Sequence, residues 1–311
     1  MQLAEAAPVS VTLTEQAPSS LWRDALRHLF HNRLAIVGMT LLGGLLLVAI
    51  LAPVIAPYDP NQVLIGVENV KKRAAPCIHV LGCPADQPQH LLGIDGNVRD
   101  FFSRVVYGSR VSLFIGFTTV GFAIVIGTVL GALAGYAGGW TDNIVMRFMD
   151  VLLAFPALLL AIAIVTVLGP GLTNALLAIG IVSIPSYARV MRASVLSIKE
   201  QDFVTADRAL GVSSARILFH RILPNALTPL VVRGTLGIAT AILDAAALSF
   251  LGLGAQPPMA EWGSMLGAER NQVFTAPHLV FFPGVAIMLT VLGFNLLGDG
   301  MRDALDPRLN R

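Results

Sequence analysis

Charge is what this sequence has least of. Only 13% of its 311 residues are Asp, Glu, Lys or Arg, about half the share usual in a soluble domain, while 55% are hydrophobic. The net charge of +2 is too small to suggest nucleic-acid binding. No succession of short alternating strands is visible, which argues against a transmembrane β-barrel. There is no glycine-rich phosphate loop ending in GK[ST] and no HExxH pair, so no catalytic or metal constellation appears. Any ATP chemistry must therefore reside on another polypeptide. Cysteine is nearly absent, with Cys77 and Cys83 the only two.

What the sequence does have is long apolar windows. Several stretches of about 20 residues with few charges identify an all-α polytopic membrane protein. Six transmembrane helices are predicted, at 34–56 and near 111–134, 151–168, 172–195, 227–251 and 279–297. The first is too long, and begins too far into the chain, to be a signal-peptide core, so it reads as a retained anchor. Residues 1–18 show little periodicity and read as a mobile tail. Ser19 and Ser20 can cap an amphipathic helix over 19–33, lying on the membrane surface with Leu21, Trp22, Ala25, Leu26, Leu29 and Phe30 as its apolar side. Residues 57–107 form a long loop region, 108–305 a five-helix core, and 306–311 a short tail.

Lysine and arginine set the orientation. Arg147, Arg189, Arg192, Lys199, Arg208, Arg216 and Arg221 fall on the same side as both termini, which are therefore expected in the cytoplasm. Residues 57–107 and 252–278 then face outward. Gly127, Gly131 and Gly135 repeat every four residues and leave a smooth strip against which another helix can pack. Pro156, Pro185 and Pro283 are expected to bend their helices.

One segment on the cytoplasmic side, 199–224, is unlike its surroundings. Asp202, Asp207, Arg208, Arg216, His220 and Arg221 crowd between two apolar spans. Phe203, Ala206 and Leu210 share one helix face, and Gly211 stands where a left-handed residue would end that helix. Ser213 or Ser214 can cap a second helix through Ile217, Leu218 and Leu223, which Pro224 is expected to break before the fifth span. The residues allow a solvated loop with incidental helices, or a docking element whose apolar strip and mixed charges fit a groove on a soluble partner.

Two other sites stand out. Cys77 and Cys83, near His79 and His90 in the outward loop, allow a small disulfide-closed loop, free thiols, or a zinc site whose spacing matches no zinc motif closely. Arg233 and Asp244 lie in or near the fifth span, where each ionisable group costs about 2.5–3.5 kcal/mol at the centre of a span. They share a helix face about 16 Å apart, which suits contact with a translocation pathway or pairing with neighbouring helices.

The 202–224 segment resembles the EAA loop of permease subunits of bacterial ATP-binding-cassette importers. In that family Glu-Ala-Ala is followed, after three residues, by glycine, and Leu-Pro closes the segment. This chain has Thr205-Ala206-Asp207, Gly211 and Leu223-Pro224, so the spacing holds while the first and third triplet residues depart. "LLGIDGNVRDFFSRVVYGSRVSLFIGF", "GYAGGWTDNIVMRFMDVLLAFPALLLAI", "ILDAAALSFLGLGAQPPMAEWGSML" and "FNLLGDGMRDALDPRL" are similar to the dipeptide and oligopeptide permeases, most of all the dipeptide C-type permease. Where that family usually has glycine before its Arg-Asp pair, this chain has Val98.

The resemblance implies a type I importer permease fold in the bacterial cytoplasmic membrane. It implies a homologous second permease, two cytoplasmic ATPase subunits carrying ATP and Mg, an extracytoplasmic solute-binding protein, and a peptide substrate. This chain itself would bind no cofactor and no nucleic acid, and Asp202–Leu210 would be the coupling helix. A proton- or sodium-coupled secondary transporter is the main rival, but no clear internal repeat is found among the spans. A membrane-embedded enzyme would need paired catalytic groups. Relatives with similar permeases carry dipeptides, longer peptides, glutathione, haem or chelated metals.

Overall fold

The computed structural model describes residues 29–305. The tails at 1–18 and 306–311, and all but the end of the surface helix expected over 19–33, lie outside the described residues. Among the described residues the secondary structure is helical, with only isolated bridges between extended segments.

Helix α1 spans Arg33–Ile50, and the Asn32 side chain caps it by accepting from the Leu34 and Ala35 amides. It ends earlier than the predicted 56, and a separate short turn follows at Ala52–Ile55. Pro53 is the cause, since it has no N–H to continue the ladder and its ring crowds the preceding turn.

Helix α2, Phe101–Ala137, is 37 residues long, about 55 Å, and is capped by Asp100 through the Ser103 amide. The 57–107 loop is corrected accordingly: its last seven residues, 101–107, are helical. Arg104 and Arg110 disguise this start, because their charge reads as loop.

Helices α3, Gly139–Leu153, and α4, Ala157–Leu168, meet at a bend of 90°. The span expected to begin near 151 is thus a broken pair beginning at 139. Pro156 sits at the break as the residue before α4. Pro185 and Pro283, by contrast, sit inside helices that run on past them.

The remaining elements are α5 (Leu172–Lys199), α6 (Asp202–Ala209), α7 (Leu223–Phe250), α8 (Trp262–Glu269) and α9 (His278–Leu305). Five helices are long and apolar enough to cross a membrane, and the bent α3–α4 pair makes a sixth if taken as one span.

Packing centres on α2 and α5. A Cβ on Gly127 would lie 2.7 Å from Tyr187 Cβ, and one on Gly135 would lie 3.0 Å from the Arg192 carbonyl oxygen. At Gly131 it would collide with the Ala188 carbonyl oxygen. The glycine strip is thus where α5 approaches, backbone to backbone. Gly38 of α1 fits against α9 in the same way, 2.7 Å from the Leu297 amide nitrogen if given a Cβ. Asn32 also donates to Asp303 at 3.2 Å, joining the start of α1 to the end of α9.

The α2–α5 seam should tolerate no side chain. Gly131→Leu is expected to destabilise the protein by about 1–3 kcal/mol or more, because backbone cannot yield as a flexible side chain can. Gly121→Leu, which meets nothing within 4 Å, is the control. Thermal unfolding in detergent compares the two.

Candidate coupling surface

At one end of the bundle α5 gives way, after Glu200 and Gln201, to α6. Asp202 in its first turn and Arg208 in its last complement the helix dipole. Val204 is fully buried and pins α6 to the bundle. Phe203, Ala206 and Leu210 face away, with Phe203 40% and Leu210 81% exposed. The apolar strip therefore exists, and nothing among the described residues covers it.

Gly211 has φ +78°, the left-handed region that favours glycine. Its amide bonds the Arg208 carbonyl at 3.0 Å and the Val212 amide bonds the Asp207 carbonyl at 3.0 Å. That is a Schellman termination, which satisfies the last carbonyls of α6. Arg221 Nε donates to Asp207 Oδ2 at 2.9 Å and closes the far side of the turn. Phe203, Asp207, His220, Arg221 and Asn225 line a cleft of about 370 Å³ between the two arms.

The second arm differs from expectation. Ser213 occupies the cap position of a short helical turn at Ser214–Arg216, but its side chain makes no capping bond. The chain then widens into a π-helical turn at Ile217–Ile222 and runs straight into α7. Pro224 consequently starts α7 instead of breaking it. It lies in the first turn of α7, where a missing N–H costs little, and the wide turn before it makes room for its ring.

Asp202, Phe203, Thr205, Ala206, Asp207, Leu210 and Gly211 are thus gathered on one short hairpin arm. Thr205 is exposed, its hydroxyl 3.5 Å from the Gln201 carbonyl. Leu223 is half-buried and Pro224 exposed at the foot of the second arm. The Val204 anchor and the Arg221–Asp207 pair leave little mark in the sequence. Val204 shows there only as an apolar residue off the Phe203 strip, and the partner of Arg221 lies 14 residues away.

Ion pairs brace the same end. Arg192 binds both carboxylate oxygens of Asp142, and Arg189 meets Asp150 at 2.6 Å, so α5 is tied to α3. Lys199 Nζ donates to the Tyr136 carbonyl at 3.0 Å, joining the ends of α5 and α2.

The opposite end carries residues 51–100 and 251–277, fastened by buried charge. His90 Nδ1 lies 2.8 Å from Asp100 Oδ1 and its Nε2 lies 3.0 Å from Glu68 Oε2. Tyr58 donates to Glu68 at 2.8 Å, and burial with this bond pushes the phenol up to about 12. Burial alone would lower the His90 pKa, but the Asp100 and Glu68 carboxylates outweigh it and raise it above 6.5. Burial raises the carboxyl pKa of Glu261, which caps α8. Arg99 meets Asp95 at 2.8 Å, and Arg73 meets Glu269 of α8 at 2.8 Å.

Cys77 and Cys83 are joined as a disulfide, and Cys77 exchanges backbone bonds with His90 at 2.9 and 3.0 Å. His79 Nε2 lies 2.8 Å from the Gln87 carbonyl. Among the described residues no group of three or more His, Cys, Asp or Glu is placed to hold a metal. Arg233 and Asp244 both lie on α7, exposed and half-buried respectively, and neither has a hydrogen bond or ion pair among the described residues.

Val98 explains a departure from the permease pattern. Its φ is +57°, a conformation costly for a β-branched residue and open to the glycine usual there. Its side chain is 2% exposed and packs with Leu64 and Ile94, which offsets the strain.

A model of binding-protein-dependent transport system inner membrane components matches residues 127–311, and one of the N-terminal transmembrane domain of oligopeptide transport permease C matches 20–76. The dipeptide transport system permease protein DppC of Alkalihalophilus pseudofirmus is 48% identical over 93% of this chain and 91% of its own length. The di/tripeptide transport system permease protein DppC of Pseudomonas aeruginosa is 43% identical over 94% and 95%. The glutathione transport system permease protein GsiD of Escherichia coli is 45% identical over 93% and 91%. Among solved structures, the inward-facing MetNI methionine ABC transporter shares the fold, with a TM-score of 0.54 over 66% of this chain and 97% of that one at 22% identity.

The 51–100 end should respond both to pH and to substitution at Val98. A histidine whose folded pKa is raised stabilises fully below its unfolded value, near 6.5, and loses that contribution as pH rises through the folded value. Protection factors of the Cys77 and His90 amides should therefore be highest below about pH 6.5 and fall above it, and His90→Gln should flatten the profile. At Val98, glycine removes about 1–2 kcal/mol of left-handed strain together with the packing, whereas alanine loses packing and keeps much of the strain. Thermal melts should show Val98→Gly no less stable than Val98→Ala, although it deletes more side chain.

Proposed function

The chain belongs to the family of binding-protein-dependent transport system inner membrane components, and from that membership we propose that it is the C-type permease half of an ATP-driven importer of short peptides. It is a multi-pass inner membrane protein, and in this family the ATPase is a separate subunit. The names of its relatives support a peptide cargo: dipeptides, di- and tripeptides, and glutathione.

In this reading the α6 end and both termini face the cytoplasm, and the 51–100 end faces outward. A homologous second permease completes the pathway, two cytoplasmic ATPase subunits supply ATP and Mg, and an extracytoplasmic solute-binding protein delivers the peptide. This chain binds no cofactor of its own.

The uncovered strip on α6 is the observation that carries the coupling role. An apolar strip held rigidly at the end of a membrane bundle is costly to leave in water and suits a groove on a soluble partner. Val204 and the Arg221–Asp207 pair fix its angle to the bundle. A push on α6 passes to α5 through two residues, and from α5 to α2 across the glycine seam. The bundle thus responds as a body, biased by nucleotide on one side and by loaded binding protein on the other.

Phe203→Asp and Leu210→Asp place charge on the strip while leaving Val204 in position. Each is expected to cost roughly 2 kcal/mol or more of docking energy, at least tenfold in ATPase co-purification, and to abolish peptide-stimulated ATP hydrolysis. Unchanged co-purification and transport in both would overturn the coupling role.

A further inference from the structure

One face of α7 is ill suited to lipid. Arg233, Gly237, Thr240 and Asp244 recur three or four residues apart and so share that face. Arg233 and Thr240 are exposed, and Gly237 and Asp244 are half-buried. Ile238 and Ile242, which pack on Gly116 of α2, point the other way. From α5 the Tyr187 hydroxyl rests against Gly237, where a Cβ would collide with it. The Thr240 hydroxyl reaches only the carbonyl of Leu236 in its own helix, at 3.5 Å. Neither charge is met by a hydrogen bond or an ion pair among the described residues. Facing hydrocarbon, both would be unpaired ions in a medium that cannot solvate them.

We infer that this stripe is a binding track for the free termini of a zwitterionic peptide, Asp244 taking the ammonium end and Arg233 the carboxylate end. The inference rests on the importer reading above. The charges complement those of the cargo, and their order along α7 places Asp244 nearer the 251–277 end and Arg233 nearer α6. They are about 16 Å apart along the helix. An extended peptide advances about 3.3–3.6 Å per residue, so a dipeptide spans less than half that distance and engages the two in turn. A short peptide is therefore handed from one charge to the other, with the Tyr187 hydroxyl and the bare Gly237 backbone between them.

The test uses the whole importer in liposomes, with its second permease, ATPase subunits and binding protein, and a labelled dipeptide. Failure of the wild-type complex to import any peptide would sink the importer reading itself. Given import, Asp244→Asn and Arg233→Gln are expected to preserve assembly, read as co-purification of all the subunits. Each should lower peptide imported per ATP by at least about tenfold, as loss of one charged hydrogen bond would, and Arg233→Lys should retain more than Arg233→Gln. Thr240→Cys should react with a charged, membrane-impermeant thiol reagent, more slowly when the binding protein is peptide-loaded. This chain adds no background, because Cys77 and Cys83, its only other cysteines, are joined to each other, and the label is read on this chain after the subunits are separated. Leu243→Cys, 46% exposed on another face of α7, should stay unreactive in lipid. The track is overturned if both charge variants import normally, or if Thr240→Cys does not react, which would put a packed helix over the stripe. It is equally overturned if Asp244→Asn prevents assembly, which would make that charge a structural partner of another subunit.

Discussion

The backbone contact between α2 and α5 is the constraint from which the rest of the architecture follows. Lipid tails are as apolar as leucine, so helices in a bilayer gain little by hiding apolar surface from one another and must gain by close approach. Gly127, Gly131 and Gly135 supply that approach. Both terminal structures hang from this pair: α5 continues into α6 after two residues, and α2 is capped by Asp100, which also holds His90. One rigid seam therefore sets the spacing between the 51–100 cap and the α6 hairpin.

The two ends are held by different physics. At the 51–100 end most of the paired charge is buried: His90 lies between two carboxylates, Arg99 lies on Asp95, and buried Glu269 holds the more exposed Arg73. Buried pairs of this kind add little net stability but penalise any geometry that separates them, so they specify one arrangement. At the α6 end two of the pairs have exposed arginines, Arg221 58% and Arg189 51% accessible, while Arg192–Asp142 is half-buried. Exposed pairs contribute about 0–1 kcal/mol each and re-form easily. A cap locked in one arrangement, and a hairpin whose angle rests on buried Val204 with the Arg221–Asp207 pair as a lesser brace, are what an importer subunit needs at its two faces.

The legible parts of this structure were local. The Phe203–Ala206–Leu210 strip and the Gly211 termination depend on residues within one or two turns, and the glycine strip on a four-residue period. The illegible parts depended on remote partners or on geometry that spacing does not encode. Glu68 is 22 residues from His90, and no periodicity joins them. Arg104 reads as a loop charge until it is seen donating to the carbonyl of Pro60 at 2.7 Å. Pro224 reads as a helix breaker because the π-helical turn that accommodates it leaves no mark in the sequence. Val98 is the converse case, a visible departure from a family pattern whose meaning appears only with its backbone angle.

The π turn before Pro224 has the largest consequence. Had Pro224 ended a helix, the hairpin and the fifth span would be separate bodies joined by a flexible link. Instead Ser214–Phe250 is one continuous helical run, so Arg221, which grips α6, and Arg233 and Asp244, which face out of the bundle, belong to the same element. Arg233 stands only about 18 Å along the axis from Arg221. Movement at the hairpin therefore reaches the polar stripe directly, without a relay of side chains between them. A wide helical turn placed there can absorb a small change of twist without breaking the run, and turns of this kind are often found at functional sites. The same helix can thus serve as the handle at one end and as part of the lining at the other.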